Sequence, residues 1–221
     1  MWRTLDRGVL RDIALVWVAV GVIGLSYGAT AAALGFPLWL PVVLGTLVLA
    51  ASSEFLFIGI IAAGGSPIAA VLAGLLVNAR HLPYGLSVPE VIGTGWQRVL
   101  STHLMSDATV VLALAQPDLA RKRAAYWACG LGIAICWPLG ACVGGLVGSV
   151  VPDTDAFGLD AAFPAVLLAL ILPALRQPGP LRAALAGVAL ALGTTPFLPA
   201  GLPVLVALAG LILTGRDGAS R

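Results

Sequence analysis

Residues 66–87 read Ser-Pro-Ile-Ala-Ala-Val-Leu-Ala-Gly-Leu-Leu-Val-Asn-Ala-Arg-His-Leu-Pro-Tyr-Gly-Leu-Ser, and this stretch decides the fold. Ser66 suits the N-cap and Pro67 the first helical position, where the missing proline N–H has no partner to lose. The apolar run then reaches Asn78 before Pro83 and Gly85 interrupt it. About 12 residues at 1.5 Å each make roughly 18 Å of helix, short of the ~30 Å hydrocarbon core of a bilayer. A helix that starts at one membrane surface therefore ends inside, with Asn78, Arg80, His81 and Tyr84 beside the break.

The rest of the chain has the composition of a bilayer protein. Hydrophobic residues make up 60% and charged residues only 10% of the 221 positions, far from the roughly half apolar, quarter charged usage of soluble domains. With 27 Gly and 15 Pro, the helices must pack closely or be interrupted, because neighbouring protein or water has to satisfy the freed backbone. The apolar runs are much longer than the roughly ten alternating residues of an outer-membrane strand. The expected fold is all-α, a polytopic helical bundle in the bacterial inner membrane formed by one domain over residues 1–221.

Hydropathy and breakers mark eight segments, at 13–34, 38–63, 67–88, 99–116, 124–150, 161–175, 182–194 and 198–214. Several are too short for a simple span and read as broken or half-length helices. Arg3, Arg7 and Arg11, then Arg121-Lys122-Arg123, Arg176 and Arg182, and Arg216 and Arg221 all fall on one side for eight crossings, while Asp153 and Asp155 fall on the other. Basic residues gather on the cytoplasmic side, so both termini are expected there. The run from Ile13 to Leu34 exceeds a signal-peptide core and reads as a retained span. Thr194-Thr195-Pro196-Phe197-Leu198 resembles Ser52-Ser53-Glu54-Phe55-Leu56, and the same offset lays segment six on segment one. This suggests an inverted repeat whose second copy runs out at Arg221, leaving room for a separate small subunit.

A net charge of +2, spread beside apolar runs, excludes nucleic acid as the natural partner. Cys129, Cys136 and Cys142 have neither metal-ligand spacing nor histidine neighbours, and no metal or cofactor is expected. Soluble-enzyme signatures are missing: there is no HExxH, CxxC pair, Walker A loop or G-x-S-x-G elbow.

Glu54 and Asp107 each fall near mid-membrane in their segments. A carboxylate there costs about 2.5–3.5 kcal/mol on insertion scales and usually marks a substrate, ion or proton path; the alternative is an internal ion pair or a neutral hydrogen-bonded acid. Arg80 is the expected partner of either. His103 lies one turn before Asp107, with Ser106 beside it, so the three would share a helix face suited to proton relay; otherwise His103 sits at the interface. His81 follows Arg80 at the break and reads as functional. Asn78 is expected to cap the broken helix, Tyr84 to act in the site or in the aromatic belt, and Asp160 to be the N-cap of segment six.

Asn78-Ala-Arg-His-Leu-Pro-Tyr-Gly-Leu-Ser87 resembles the N-x-R-H-x-x-Y-G-x-S stretch of the AzlC family. Ser53-Glu54-Phe55 followed by Gly59 looks like that family's Ser-Gln-Phe motif, Ser106-Asp107 like its Thr-Asp-Glu site, and Gly158-Leu159-Asp160-Ala161-Ala162-Phe163 like its Gly-Leu-Asp-Phe-Ala motif. Two departures stand out: Glu54 replaces a usually neutral glutamine, and Ala108 stands where a second acidic residue is common. The resemblance implies a proton-driven exporter of branched-chain amino acids working with a small AzlD-type membrane subunit. On this reading Arg80 meets the substrate carboxylate and Glu54 or Asp107 its ammonium group. A channel subunit with the same polar line is the alternative, and an intramembrane enzyme a third.

Overall fold

The computed structural model describes residues 5–150, 175–199 and 202–210, together with positions 168 and 172. Segment six, the Gly158–Phe163 motif, Asp153, Asp155 and Asp160 lie outside the described residues, as does the region through which segment six would match segment one. The described residues are helical without a strand: α1 (Arg7–Ala33), α2 (Trp39–Leu47), α3 (Ala51–Ala62), α4 (Pro67–Asn78), α5 (His81–Ser87), α6 (Pro89–Ile92), α7 (Gly95–His103), α8 (Asp107–Leu114), α9 (Leu119–Val150), α10 (Pro178–Thr194) and α11 (Leu202–Ala207). Two of them, α1 and α9, are long and apolar enough to cross a membrane. The chain forms two compact units, one from residues 1–54 and 78–160, the other from 55–77 and 161–221.

The first unit is built on α1 packed along α9. Gly24 and Gly28 of α1 face Trp137, Gly140 and Ala141, and Gly144 and Gly148 of α9 face Leu25 and Ala29. A Cβ at Gly28 would collide with the Ala141 carbonyl and one at Gly144 with that of Leu25. The absence of side chains thus lets the two backbones touch, as dispersion-driven helix association in a membrane requires. The pairing is parallel. At one end Arg121 pairs with Asp6 at 3.5 Å, and further along the Trp17 indole N–H donates to the Cys129 carbonyl at 3.3 Å. The Tyr27 and Trp137 rings stack at 5.3 Å.

Segment four is not one helix. It breaks at Leu104–Ser106 into α7 and α8, and the two double back. At the near end, Arg123 of α9 donates twice to the Glu90 carbonyl of α6, at 2.8 and 3.1 Å, and the Tyr126 hydroxyl donates to the Ser101 carbonyl of α7 at 2.7 Å. At the tip, Leu104 reaches Gly130, seven residues or roughly 10 Å beyond Arg123 along α9 at 1.5 Å per residue. From there α8 returns, so that Val110 and Ala113 pack with Val91, Ile92 and Tyr126. The expectation that His103 and Asp107 share a helix face is therefore corrected. Ser106 has extended backbone and caps α8: the Thr109 N–H donates to Ser106 Oγ at 3.2 Å, and the Ser106 N–H donates to Thr109 Oγ1 at 2.8 Å. This capping box terminates one helix and starts another with no proline or glycine present. Replacing Ser106 with Ala should lower stability by about 1 kcal/mol, measurable as a lower unfolding temperature in detergent.

Segment two is also interrupted, where no breaker residue predicted it. Between α2 and α3, Leu49 adopts a positive φ of 50°, strained for a residue with a branched side chain. The expected break after α4 is present: the Ala69 N–H donates to Ser66 Oγ at 3.1 Å, and the helix stops at Asn78. Pro83 and Gly85 lie within the short α5 rather than at the break itself.

In the second unit, Ile60, Ala70 and Ala73 form a buried cluster flanked by Leu56, Phe57, Ile61 and Leu205. Gly187 of α10 lies against Ala207 of α11, and Gly210 against Ala183 and Gly187, so these helices pack antiparallel. Large apolar side chains remain exposed along both units, among them Val18, Leu75, Leu86, Leu185 and Leu192.

Candidate functional site

Three helix breaks of the first unit meet at one cavity of about 390 Å³. Val48, Leu49 and Ala50 come from the α2/α3 break and Asn78 and His81 from the α4/α5 break. Val99, Thr102, His103 and Met105 come from α7 and its junction with α8. Each break exposes backbone groups that a continuous helix would pair internally, and the side chains around the cavity take over that pairing. His81 Nδ1 lies 2.9 Å from the Asn78 carbonyl at the end of α4, and His103 Nε2 lies 3.0 Å from the Thr46 carbonyl in the last turn of α2. A carbonyl only accepts, so both ring nitrogens are the protonated ones in the neutral imidazoles. Tyr84 packs edge-on to His81, with ring centroids 5.8 Å apart.

The expectation that Asn78 caps its own helix is corrected. Its amide nitrogen donates to Ser53 Oγ at 3.1 Å, which ties the end of α4 to the start of α3, while its Oδ1 is buried with no partner. Capping falls to His81 because the imidazole reaches back three residues to the orphan carbonyl.

Glu54 is 1% exposed and stands behind Ala50, not on the cavity wall. Its Oε1 accepts from the Ala50 N–H at 2.8 Å and its two oxygens accept from the Trp137 indole N–H at 3.2 and 3.0 Å. The carboxyl sits in the first turn of α3, where the helix dipole favours negative charge, and reaches back to a backbone N–H left unpaired at the break. Arg80 is not its partner. The guanidinium is exposed and donates to Ser52 Oγ at 2.8 Å. Asp107 is exposed at the first position of α8, and among the described residues it has no ion pair. The expected Arg80 pairing with Glu54 or Asp107 is thus corrected: Arg80 donates to a hydroxyl, and Glu54 accepts from a backbone N–H and an indole N–H.

Of the residues proposed from the sequence, Asn78, His81 and His103 line the cavity. Glu54 supports one wall, Tyr84 packs on His81, Ser106 caps the adjoining helix, and Arg80 and Asp107 lie outside the lining. Sequence reasoning missed Trp137, Gly45, Thr46, Leu49, Thr102 and Met105. A Cβ on Gly45 would stand 3.1 Å from the Trp137 ring and 3.6 Å from Glu54 Oε2, so the glycine admits the Trp137–Glu54 pair. The only available signal was Trp137-Pro138 inside an otherwise small, apolar run.

A family model described as AzlC protein matches residues 16–151, more than half of the chain and all of the cavity. A Haemophilus influenzae protein described as "Uncharacterized membrane protein" is 34% identical over 134 residues, 59% of this chain and 55% of that protein, so the match spans just over half of that relative's length. The "Branched-chain amino acid transport protein AzlC" of Bacillus subtilis is 25% identical over 203 residues, covering 88% of this chain and 78% of that one. An "Uncharacterized membrane protein" of Helicobacter pylori is 26% identical over 194 residues, covering 84% and 85%. No solved structure matches. With its paired glycine-rich long helices, its three helix breaks and the Asn78–Ser87 motif all inside or overlapping the matched region, the chain belongs to the AzlC family.

Proposed function

We propose that the chain is the large subunit of a proton-coupled secondary transporter that exports branched-chain or other small apolar amino acids across the bacterial inner membrane. The observation that carries this reading is the convergence of three interrupted helices on one cavity. In membrane transporters, irregular backbone at bilayer depth is tolerated where it lines a cavity, and substrate sites lie at such breaks. A cavity of about 390 Å³ falls in the usual range for small-molecule sites. The walls supplied by Val48, Val99 and Met105 suit an aliphatic side chain. The name of the Bacillus subtilis relative supplies the substrate class.

The topology rests on parallel packing. The basic residues Arg7 and Arg11, and Arg121, Lys122 and Arg123, stand at the same end of α1 and α9, which supports a cytoplasmic N-terminus under the positive-inside rule. The multi-pass arrangement then has α1 and α9 crossing in the same sense, α7 and α8 as a re-entrant pair, and a cytoplasmic C-terminus. Protons move against substrate, with His81, His103, Glu54 and Asp107 as the titratable groups nearest the path. The exposed apolar faces meet lipid and a small AzlD-type subunit.

Counterflow in proteoliposomes tests this directly. Vesicles loaded with unlabelled valine, leucine or isoleucine should accumulate labelled valine transiently and saturably, with the co-expressed small subunit raising the rate, and an imposed pH gradient should drive net flux. Flux that is unsaturable and insensitive to the trans amino acid would identify a channel instead.

A further inference from the structure

We infer that the cavity at the three helix breaks is an ammonium subsite, in which the free ring nitrogens of His81 and His103 accept hydrogen bonds from the substrate's amino group and protons compete for the same lone pairs. This rests on the transport reading above. His81 Nδ1 and His103 Nε2 donate to the carbonyls of Asn78 and Thr46, so in the neutral rings His81 Nε2 and His103 Nδ1 are acceptors. The Thr102 hydroxyl donates into its own helix, to the Arg98 or Val99 carbonyl at 2.8 or 2.9 Å, and presents only lone pairs. The Ala50 N–H is engaged by Glu54, and the Asn78 amide spends one of its two N–H groups on Ser53. The side-chain groups of α7 and the two free ring nitrogens are thus acceptors, and no arginine or lysine is among the lining residues. A group that is cationic and donates several hydrogen bonds complements this wall; a carboxylate does not.

Protonation turns each free ring nitrogen into a donor and adds positive charge, so a proton and an ammonium group exclude each other. The titratable side chains on the surrounding elements are Glu54 of α3, Arg80 at the α4/α5 break, Tyr84 of α5, Arg98 of α7 and Asp107 of α8. Among the described residues none of them hydrogen-bonds or ion-pairs with either imidazole, and Tyr84 meets His81 only by ring contact.

The test is binding to the full chain in lipid nanodiscs, using L-valine, isobutylamine, which lacks the carboxylate, and isovalerate, which lacks the amine. Valine and isobutylamine should bind at about pH 8 and weaken about tenfold or more at about pH 5, across the range where imidazoles titrate. Isovalerate should bind far more weakly at pH 8. His81→Asn keeps a donor for the Asn78 carbonyl and His103→Gln keeps one for Thr46, while each replaces the free ring nitrogen with an amide oxygen that accepts hydrogen bonds but takes up no proton. The double variant should keep its unfolding temperature and still bind isobutylamine at about pH 8, yet lose the roughly tenfold weakening at about pH 5. Isovalerate binding as tightly as isobutylamine, or a folded double variant whose amine binding still weakens about tenfold at about pH 5, overturns the subsite and leaves the transport reading standing when valine binds. Should the double variant fail to fold, the wild-type comparison of the two analogues decides alone. Absence of valine binding to the wild type at both pH values removes the transport reading and the subsite with it.

Discussion

Replacing Gly28 with Leu is expected to leave little folded protein in the membrane. An added Cβ would overlap the Ala141 carbonyl and stand 2.6 Å from the Gly145 backbone nitrogen. Both are backbone atoms of α9, so no side chain can rotate away and the helices must separate along their contact. Overpacking a side chain commonly costs about 1–3 kcal/mol, and a collision with backbone belongs at or above the top of that range. In a bilayer the loss has no hydrophobic compensation, because lipid is as apolar as the helix surface and association rests on close packing. Gly144→Leu should behave in the same way, through Leu25. Gly21→Ala is the control: its Cβ would find nothing nearer than Cys136 Cβ at 4.0 Å, so its unfolding temperature should stay close to wild type. Size-exclusion profiles and thermal unfolding in mild detergent read both. A monodisperse, thermally unchanged Gly28→Leu protein would show that α1 and α9 do not pack as described.

The second large effect concerns Glu54, where two substitutions should part company. Glu54→Leu removes the acceptor of the buried Ala50 N–H and the carboxylate that Trp137 donates to, at a cost of about 1–3 kcal/mol for the orphaned backbone donor alone. The α2/α3 break would lose the group that holds it, and the protein should unfold at much lower temperature. Glu54→Gln keeps a carbonyl oxygen at the Oε1 position for the Ala50 N–H and the longer Trp137 contact but sets its N–H₂ against the indole N–H at the Oε2 position, so it should stay folded with a smaller fall in unfolding temperature than the Leu variant. That pair also separates two roles for the carboxyl. If Glu54 only positions the break, the Gln variant transports with normal pH dependence; if it carries the coupled proton, that variant folds but no longer responds to a pH gradient. The hydrogen bonds favour the positioning role, since the carboxyl faces Trp137 and Ala50, and it is the two histidines that line the cavity.

Much of the site was legible as residues but not as an arrangement. Asn78, His81 and His103 stand out in an apolar chain simply by polarity, and the end of α4 at Asn78 followed from Ser66-Pro67 at its start and Pro83 beyond it. The partners assigned to these residues were different, because charge suggested ion pairs where the structure uses backbone carbonyls and hydroxyls. Arg80 bonds Ser52, Glu54 bonds Trp137, and Asn78 bonds Ser53. Within a low-dielectric interior a neutral hydrogen bond satisfies a polar group without requiring a second buried charge, and no spacing in the sequence reveals which acceptor is near.

By itself the sequence determined the solvent, the helical class and the break after Asn78, because hydropathy, helix caps and breakers act over a few residues along the chain. Only the tertiary structure decided that segments two and four are broken as well. The local partners, Ser106 with Thr109 and Glu54 with Ala50, act only once each helix has already stopped, and the long-range ones are not written in either stretch. The first break depends on His103 taking the Thr46 carbonyl and Glu54 taking the Ala50 N–H; the second has the Ser106–Thr109 capping box and the seat of Leu104 on Gly130. An orphaned backbone group in a membrane must find a partner. Where that partner lies dozens of residues away, packing alone settles whether a helix continues or stops.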